Sequence, residues 1–254
     1  MTELQASFQM ISTPALMQYL LRGVVFTLMI SLVAVVLGIL LGSVLALLRN
    51  YGTHGKARIF RRIAIIYIEV FRNTPLLLWI FICLVFCPVP KMFSRKMFGL
   101  ASAADVKLLF KAAVALVLFT SSVIAEIIRG GLNSVAEGQF EAGHAQGFNT
   151  VQIMWYIVLP QAFRNVIPTL LSQVITTIKD SSYLANVAAI ELMARTKQLM
   201  STAYRYNGLG TVNVSDVFVL FGLAALIYFV INFSLSCIVR RIQKKTRKTV
   251  KAAA

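Results

Sequence analysis

The sequence predicts an all-α integral membrane protein of about five transmembrane helices, with a polar hairpin on the cytoplasmic side. Three observations predict it. Of 254 residues, 58% are apolar and 13% charged, against roughly 25% charged in soluble domains, and mean hydropathy is +0.78. Several apolar runs approach the ~20 residues that a helix needs to cross a bilayer core. The basic residues behind the net charge of +16 gather at the ends of those runs, where positive-inside topology puts them. That placement argues for a membrane setting and against nucleic acid as their partner.

The first run, residues 20–48, is broken only by Arg22 and is followed by Arg49, Lys56, Arg58, Arg61 and Arg62, a loop that belongs in the cytoplasm. It is far longer than a signal-peptide core, so it is expected to remain as a membrane anchor. The second run, 63–86, contains Glu69, Arg72 and Pro75 and stops at "CPVP", where Pro88 and Pro90 cannot continue a helix. One span, slightly irregular at Pro75, is expected. The third, 107–128, ends in "AEIIRGG", where Gly130 and Gly131 predict a helix stop. A fourth, 166–178, leads into "KDSSYLANVAAIELM", which is too mixed to span alone and either continues that helix or folds back at its outer end. The last run is 217–239.

Five spans place the two termini on opposite sides of the membrane. The tail "RRIQKKTRKTVK" has the stronger claim to the cytoplasm, which leaves the N terminus outside. The expected organisation is an external segment at 1–19, a membrane domain at 20–241 and a basic cytoplasmic tail at 242–254. Lys91, Arg95 and Lys96 run against this topology by falling outside, but the basic residues inside outnumber them.

Residues 141–160, "EAGHAQGFNTVQIMWYIVLP", interrupt this apolar chain with acids, amides and small residues. Residues 141–146 suit a short helix, and Gly147 can take the left-handed conformation that ends one. Asn149 or Thr150 can cap a second helix, 151–159, closed by Pro160. Ala142, Gly143 and Ala145 leave the first helix almost bare of bulk, which permits close approach of another protein's surface.

In this stretch the chain resembles the permease subunits of bacterial ATP-binding-cassette importers. Their cytoplasmic loop reads Glu-Ala-Ala, a glycine four residues later, and Ile-x-Leu-Pro further on. This chain has Glu141, Ala142 and Gly143, then Gly147, then Ile157, Leu159 and Pro160, with Gly143 in place of the second alanine. The flanks "FRNTPLL" from Phe71, "EIIRGGLNSVAEGQFEAG" from Glu126 and "IKDSSYL" from Ile178 are similar to the polar-amino-acid branch, the histidine/glutamine/glutamate type. Tyr183 stands where that pattern leads to leucine. The resemblance covers about residues 20–241.

The resemblance implies a type I importer transmembrane domain in the bacterial inner membrane. Two permease subunits, identical or related, would sit on a cytoplasmic ATPase dimer and receive a polar amino acid, glutamate/aspartate or glutamine-like, from an external binding protein. The hairpin would couple the ATPase to the path. ATP and magnesium would be held by the ATPase, with no cofactor, metal or catalytic residue in this chain. A membrane subunit that never carries substrate is the alternative.

The residues agree with hydrolysis lying elsewhere. "GTHGKA" from Gly52 lacks both the spacing and the hydroxyl of a phosphate loop. His54 and His144 lie in separate loops with no ligand cluster, and Cys83, Cys87 and Cys237 fall in apolar runs as small packing residues. "GILLG" from Gly38 permits close helix contact, within the subunit or between subunits.

Ionisable residues inside spans are expensive, and usually interact with one another or face a cavity. Glu69 with Arg72, and Glu126 with Arg129, are three apart and are expected either to pair along one helix face or to line a substrate path. Lys179 and Asp180 are neighbours and point in different directions on a helix, so at least one needs a partner elsewhere. With Ser181 and Ser182 they form a second candidate lining.

Overall fold

The computed structural model describes residues 2–52, 55, 57–94 and 102–252; His54, Lys56, Arg95 and Lys96 lie outside that set. Among the described residues the regular elements are all helical. Helix α1, Glu3–Ile11, starts with the Thr2 amide donating to Gln5 Oε1 at 3.1 Å. Helix α2, Pro14–Tyr51, begins on a proline, whose missing N–H costs nothing in a first turn. Its 38 residues extend beyond the predicted apolar run at both ends.

The second predicted span is two helices, α3 at Ala57–Arg72 and α4 at Leu76–Phe86. The expected slight irregularity is a full break. Pro75 offers no N–H and disfavours helical geometry at Thr74. Side chains bond the carbonyls at this end: Asn73 Nδ2 donates to Glu69 O at 2.8 Å, beside the Asn73 amide at 3.1 Å, and Thr74 Oγ1 donates to Val70 O at 2.7 Å. At the far end of α4, Lys111 Nζ donates to Leu84 O at 2.6 Å.

Helix α5, Ala103–Asn133, opens with a capping box in which Ser102 and Asp105 exchange side-chain and backbone bonds of 2.9 and 3.1 Å. It runs straight through Gly130 and Gly131, so the predicted stop is wrong. A Cβ on Gly131 would overlap the Val166 side chain; this glycine permits close packing and does not end the helix. The polar hairpin follows, as α6, Glu137–Ala145, and α7, Thr150–Ile153, with a π turn over Met154–Val158. Helix α8 spans Leu159–Asp180, a 3-10 segment covers Ser181–Val187, and α9 is Leu192–Thr202. Helix α10, Val214–Ala252, carries the last apolar run and the tail.

Helices α2, α5 and Val214–Lys244 of α10 are long and apolar enough to cross a membrane, with α3 and α4 together as a bent fourth. Helix α8 has the length, at 22 residues, but its Gln161, Arg164, Asn165 and Gln173 keep it out of that set. Side chains such as Leu32, Leu40, Ile66 and Phe218 are more than 60% exposed, as lipid-facing positions require.

The chain forms two compact units. Unit 1 holds Met1–Ala34, Leu76–Leu116 and Thr177–Ser234; unit 2 holds Val35–Pro75, Val117–Thr176 and Leu235–Ala254. Each of the five crossings between units falls inside one of the five apolar runs. The core of unit 1 gathers Met10, Leu16, Leu20, Leu192, Leu199 and Leu220. Buried Asp216 fastens α1 there, accepting from Ser7 Oγ at 2.6 Å and from Asn207 Nδ2 at 2.8 Å. In unit 2, Leu45, Ala64, Ile68 and Ala125 form one cluster, and Leu132, Ile153, Val158 and Ala162 another beneath the hairpin. Gly38 and Gly42 are used within unit 2: a Cβ on Gly42 would come within 2.8 Å of Ser121 O.

Candidate functional site

The hairpin is built from local rules. Helix α6 begins four residues ahead of the predicted Glu141 and ends in a Schellman turn. There Phe148 N donates to Gly143 O at 3.1 Å and Gly147 N to His144 O at 2.9 Å, with Gly147 at φ +83°. Asn149 then caps α7 reciprocally with Gln152, both bonds at 2.9 Å. The expected end at Pro160 does not occur: Pro160 is the second residue of α8. An α-helical proline ring clashes with the carbonyl four residues back. The π turn just ahead, closed by Leu159 N on Met154 O, changes that spacing and lets the chain continue.

Gly143 also departs from expectation, because it is the buried residue of α6. A Cβ there would meet Ile153 Cγ1 at 2.7 Å and Ile157 at 3.2 Å, so its small size seats α6 on the following turn. Glu141, Ala142, Gly147 and Pro160 remain exposed, and Ile157 and Leu159 are half-buried. Val151, Trp155 and Tyr156 stand 65%, 66% and 74% exposed. Val151 lies on α7 and the other two on the π turn, whose width has no simple sequence signal.

Glu126 is the centre of the second group. Arg129 donates to it through Nε and Nη2 at 2.9 to 3.1 Å, Arg49 Nη1 lies at 2.9 Å and Arg72 Nη1 at 3.5 Å. Glu126 and Arg129 thus pair along their helix face as the spacing predicts. Glu69 and Arg72 do not: Glu69 is held by Arg49 Nη2 at 3.0 Å, and Arg72 turns to Glu126. Three helices of unit 2 meet in one cluster of two acids and three arginines. The sequence places Arg49 only in a basic loop, because nothing local marks the end of α2 as lying beside α5.

The third group is in unit 1. Lys179 is exposed, Asp180 half-buried, Ser181 fully buried and Ser182 half-buried. Ser181 Oγ donates to Ile178 O at 2.8 Å. Ten residues on lies Glu191, wholly buried and absent from the sequence-derived candidates. Its carboxylate caps α9 by accepting from Met193 N at 2.9 Å and Ala194 N at 2.6 Å. It also accepts from Tyr228 Oη at 2.9 Å and, at 3.4 Å, from Thr27 Oγ1. Thr27 Oγ1 accepts in turn from Leu192 N at 3.1 Å. Arg195, one turn along α9, lies over the Tyr19 ring at 4.3 Å and donates to Tyr19 O. An acid directly ahead of the helical stretch "LMARTKQ" was the available capping signal.

Residues 38–248 match the family of the binding-protein-dependent transport system inner membrane component. The chain belongs to that family. It is 33% identical, over 89% of its length and 92% of the other's, to the probable glutamine ABC transporter permease protein GlnP of Bacillus subtilis. It is 36% identical, over 90% of its length and 93% of the other's, to the glutamate/aspartate import permease protein GltK of Escherichia coli. A crystal structure of an amino acid ABC transporter with histidines shares 26% identity and a TM-score of 0.73, over 92% of this chain and 97% of that one. The MetNI methionine ABC transporter in its inward-facing form, at 22% identity and a TM-score of 0.62, shows the same fold. The family makes this chain the membrane component of a transport system whose binding protein is separate.

Proposed function

We propose that this chain forms the translocation path for a polar amino acid of the glutamine or glutamate/aspartate class, moved by a separate ATPase dimer that binds ATP and magnesium. It is the permease subunit of an amino acid ABC importer. The observation that carries the mechanism is the hairpin. A rigid Schellman turn, a reciprocal cap and a π turn present Glu141, Ala142 and the exposed Trp155 and Tyr156 on a firm apolar base. Such a surface fits a groove on the ATPase. Movement there reaches α8 without a flexible joint, since the π turn runs directly into that helix.

A second permease, identical or related, completes the path, and an external binding protein delivers the amino acid. Lys179, Asp180, Ser181 and Ser182 are the polar lining proposed for unit 1, and the Glu126 cluster is the one proposed for unit 2, each by itself. Unit 2 contains the hairpin and fifteen of the 25 basic residues, which supports a cytoplasmic assignment for the hairpin and the basic C-terminal tail. The N terminus is then outside and the C terminus inside.

Uptake by the whole complex in liposomes, with each amino acid as competitor, tests the substrate class; competition by none of them would reject it. Gly147→Val tests the coupling, because a β-branched residue resists φ +83°. Uptake should be lost while the inserted permease persists, and undiminished uptake with the ATPase retained would reject the docking role. For orientation, single cysteines at exposed Gln9 and Lys244 should label from opposite sides; Ser7 is unsuitable, being 1% exposed.

A further inference from the structure

Glu191 invites a question that its capping role leaves open. A cap on α9 needs only the Met193 and Ala194 amides, yet this carboxylate reaches two further elements, α2 through Thr27 and α10 through Tyr228. The stretch between Ser181 and Glu191 is unusual in itself. Seven residues of 3-10 helix exceed the three or four that such geometry commonly sustains. They end at Ala188 with φ 55°, a left-handed conformation that a residue with a Cβ adopts only when its surroundings impose it. A strained segment of this kind needs fixed points at both ends. Helix α8 supplies one, and the Glu191 carboxylate supplies the other.

We propose that Glu191 is a positioning residue for transport: with Tyr228 and Thr27 it fixes the segment 181–190, and so the Lys179 to Ser182 lining that leads into it. The proposal rests on the permease reading above. With the anchor in place, each ATPase cycle acts on a lining of defined geometry. With the anchor loosened, cycles run without carrying an amino acid.

Two substitutions separate anchoring from capping. Glu191→Asp keeps a carboxylate suited to a helix N-cap but is one methylene too short to hold Tyr228 as well. Tyr228→Phe leaves the carboxylate, both amide bonds and the Thr27 bond in place and removes only the tether to α10. The experiment measures ATP hydrolysed per amino acid imported, using the complete complex in liposomes. Both variants should assemble at wild-type yield and raise that ratio by about fivefold, the scale set by one lost net hydrogen bond. A ratio equal to wild type in Tyr228→Phe, whether uptake and hydrolysis are normal or fall together, would overturn the proposal. A wild-type complex that imports no amino acid would sink the permease reading, which is a different result from an unchanged ratio in a transporting complex.

Discussion

Glu126 in unit 2 and Glu191 in unit 1 are both withdrawn from water, but the first is met by three arginines and the second by amides and hydroxyls alone. Charge pairing acts over several ångströms and tolerates imperfect distances, such as the 3.5 Å between Arg72 and Glu126, at the cost of sensitivity to salt. Hydrogen bonds from neutral donors are short-ranged and directional, so they hold a carboxylate only where the backbone is already in place. The Glu126 cluster therefore suits elements that shift against one another, and the Glu191 site suits a segment that must stay fixed.

The largest effect should come from breaking the charged side of this pair. Glu126→Gln keeps the shape, but leaves Arg49, Arg72 and Arg129 with Glu69 as their remaining acid within the cluster. Removing one partner from a desolvated charge group commonly costs 3–5 kcal/mol when fully buried. Glu126 is 13% exposed and its arginines 21 to 41%, so about 2 kcal/mol is expected after screening. Thermal unfolding of the purified complex measures it, and an unchanged midpoint would show the cluster to be energetically idle. High salt should narrow the gap between variant and wild type.

The neutral side is sharpened by Thr27→Val, which keeps the volume and removes the hydroxyl. Leu192 N, bonded to it at 3.1 Å in a buried setting, would lose its acceptor. A buried donor left unpaired costs about 1–3 kcal/mol; about 1 kcal/mol is expected here, because Glu191 keeps its other three donors. This loss should be the same in low and high salt. A strongly salt-dependent loss would mean that a charge, not a dipole, stabilises the Glu191 site.

The two sites also differ in how far the sequence revealed them. Glu126 with Arg129, and the glycine turn and Asn149 cap of the hairpin, are local patterns with fixed spacing, and each forms as predicted. Arg49 on Glu69 joins residues twenty apart, and Thr27 on Glu191 joins residues 164 apart; no spacing rule reaches that far. The helix boundaries failed for a related reason. Gly130, Gly131 and Pro160 carry strong stop signals, but close packing on Val166 at one point and a π turn at the other override local propensity. Pro75 did break its helix: it offers no N–H and disfavours helical geometry at Thr74, and the Thr74 hydroxyl bonds Val70 O.

The smallest change in stability should come from Arg72→Gln, and for that reason it is the most informative about transport. Arg72 makes the longest contact with Glu126, at 3.5 Å, and its side chain is 41% exposed, so screening by solvent and salt leaves it worth about 0.5 kcal/mol or less. Glu126 keeps Arg49 and Arg129, and the fold is barely disturbed. A residue serving only as a peripheral ion pair would then leave uptake kinetics near wild type. A residue lining the path of an anionic or zwitterionic amino acid would instead change the apparent KM of uptake well beyond that margin, since its charge would act directly on the cargo. If Arg72→Gln shifts KM while the melting midpoint of the complex holds, the cluster belongs to the path; if both stay put, Arg72 is part of the scaffold, and Arg129, 32% exposed, becomes the next residue of the cluster to test.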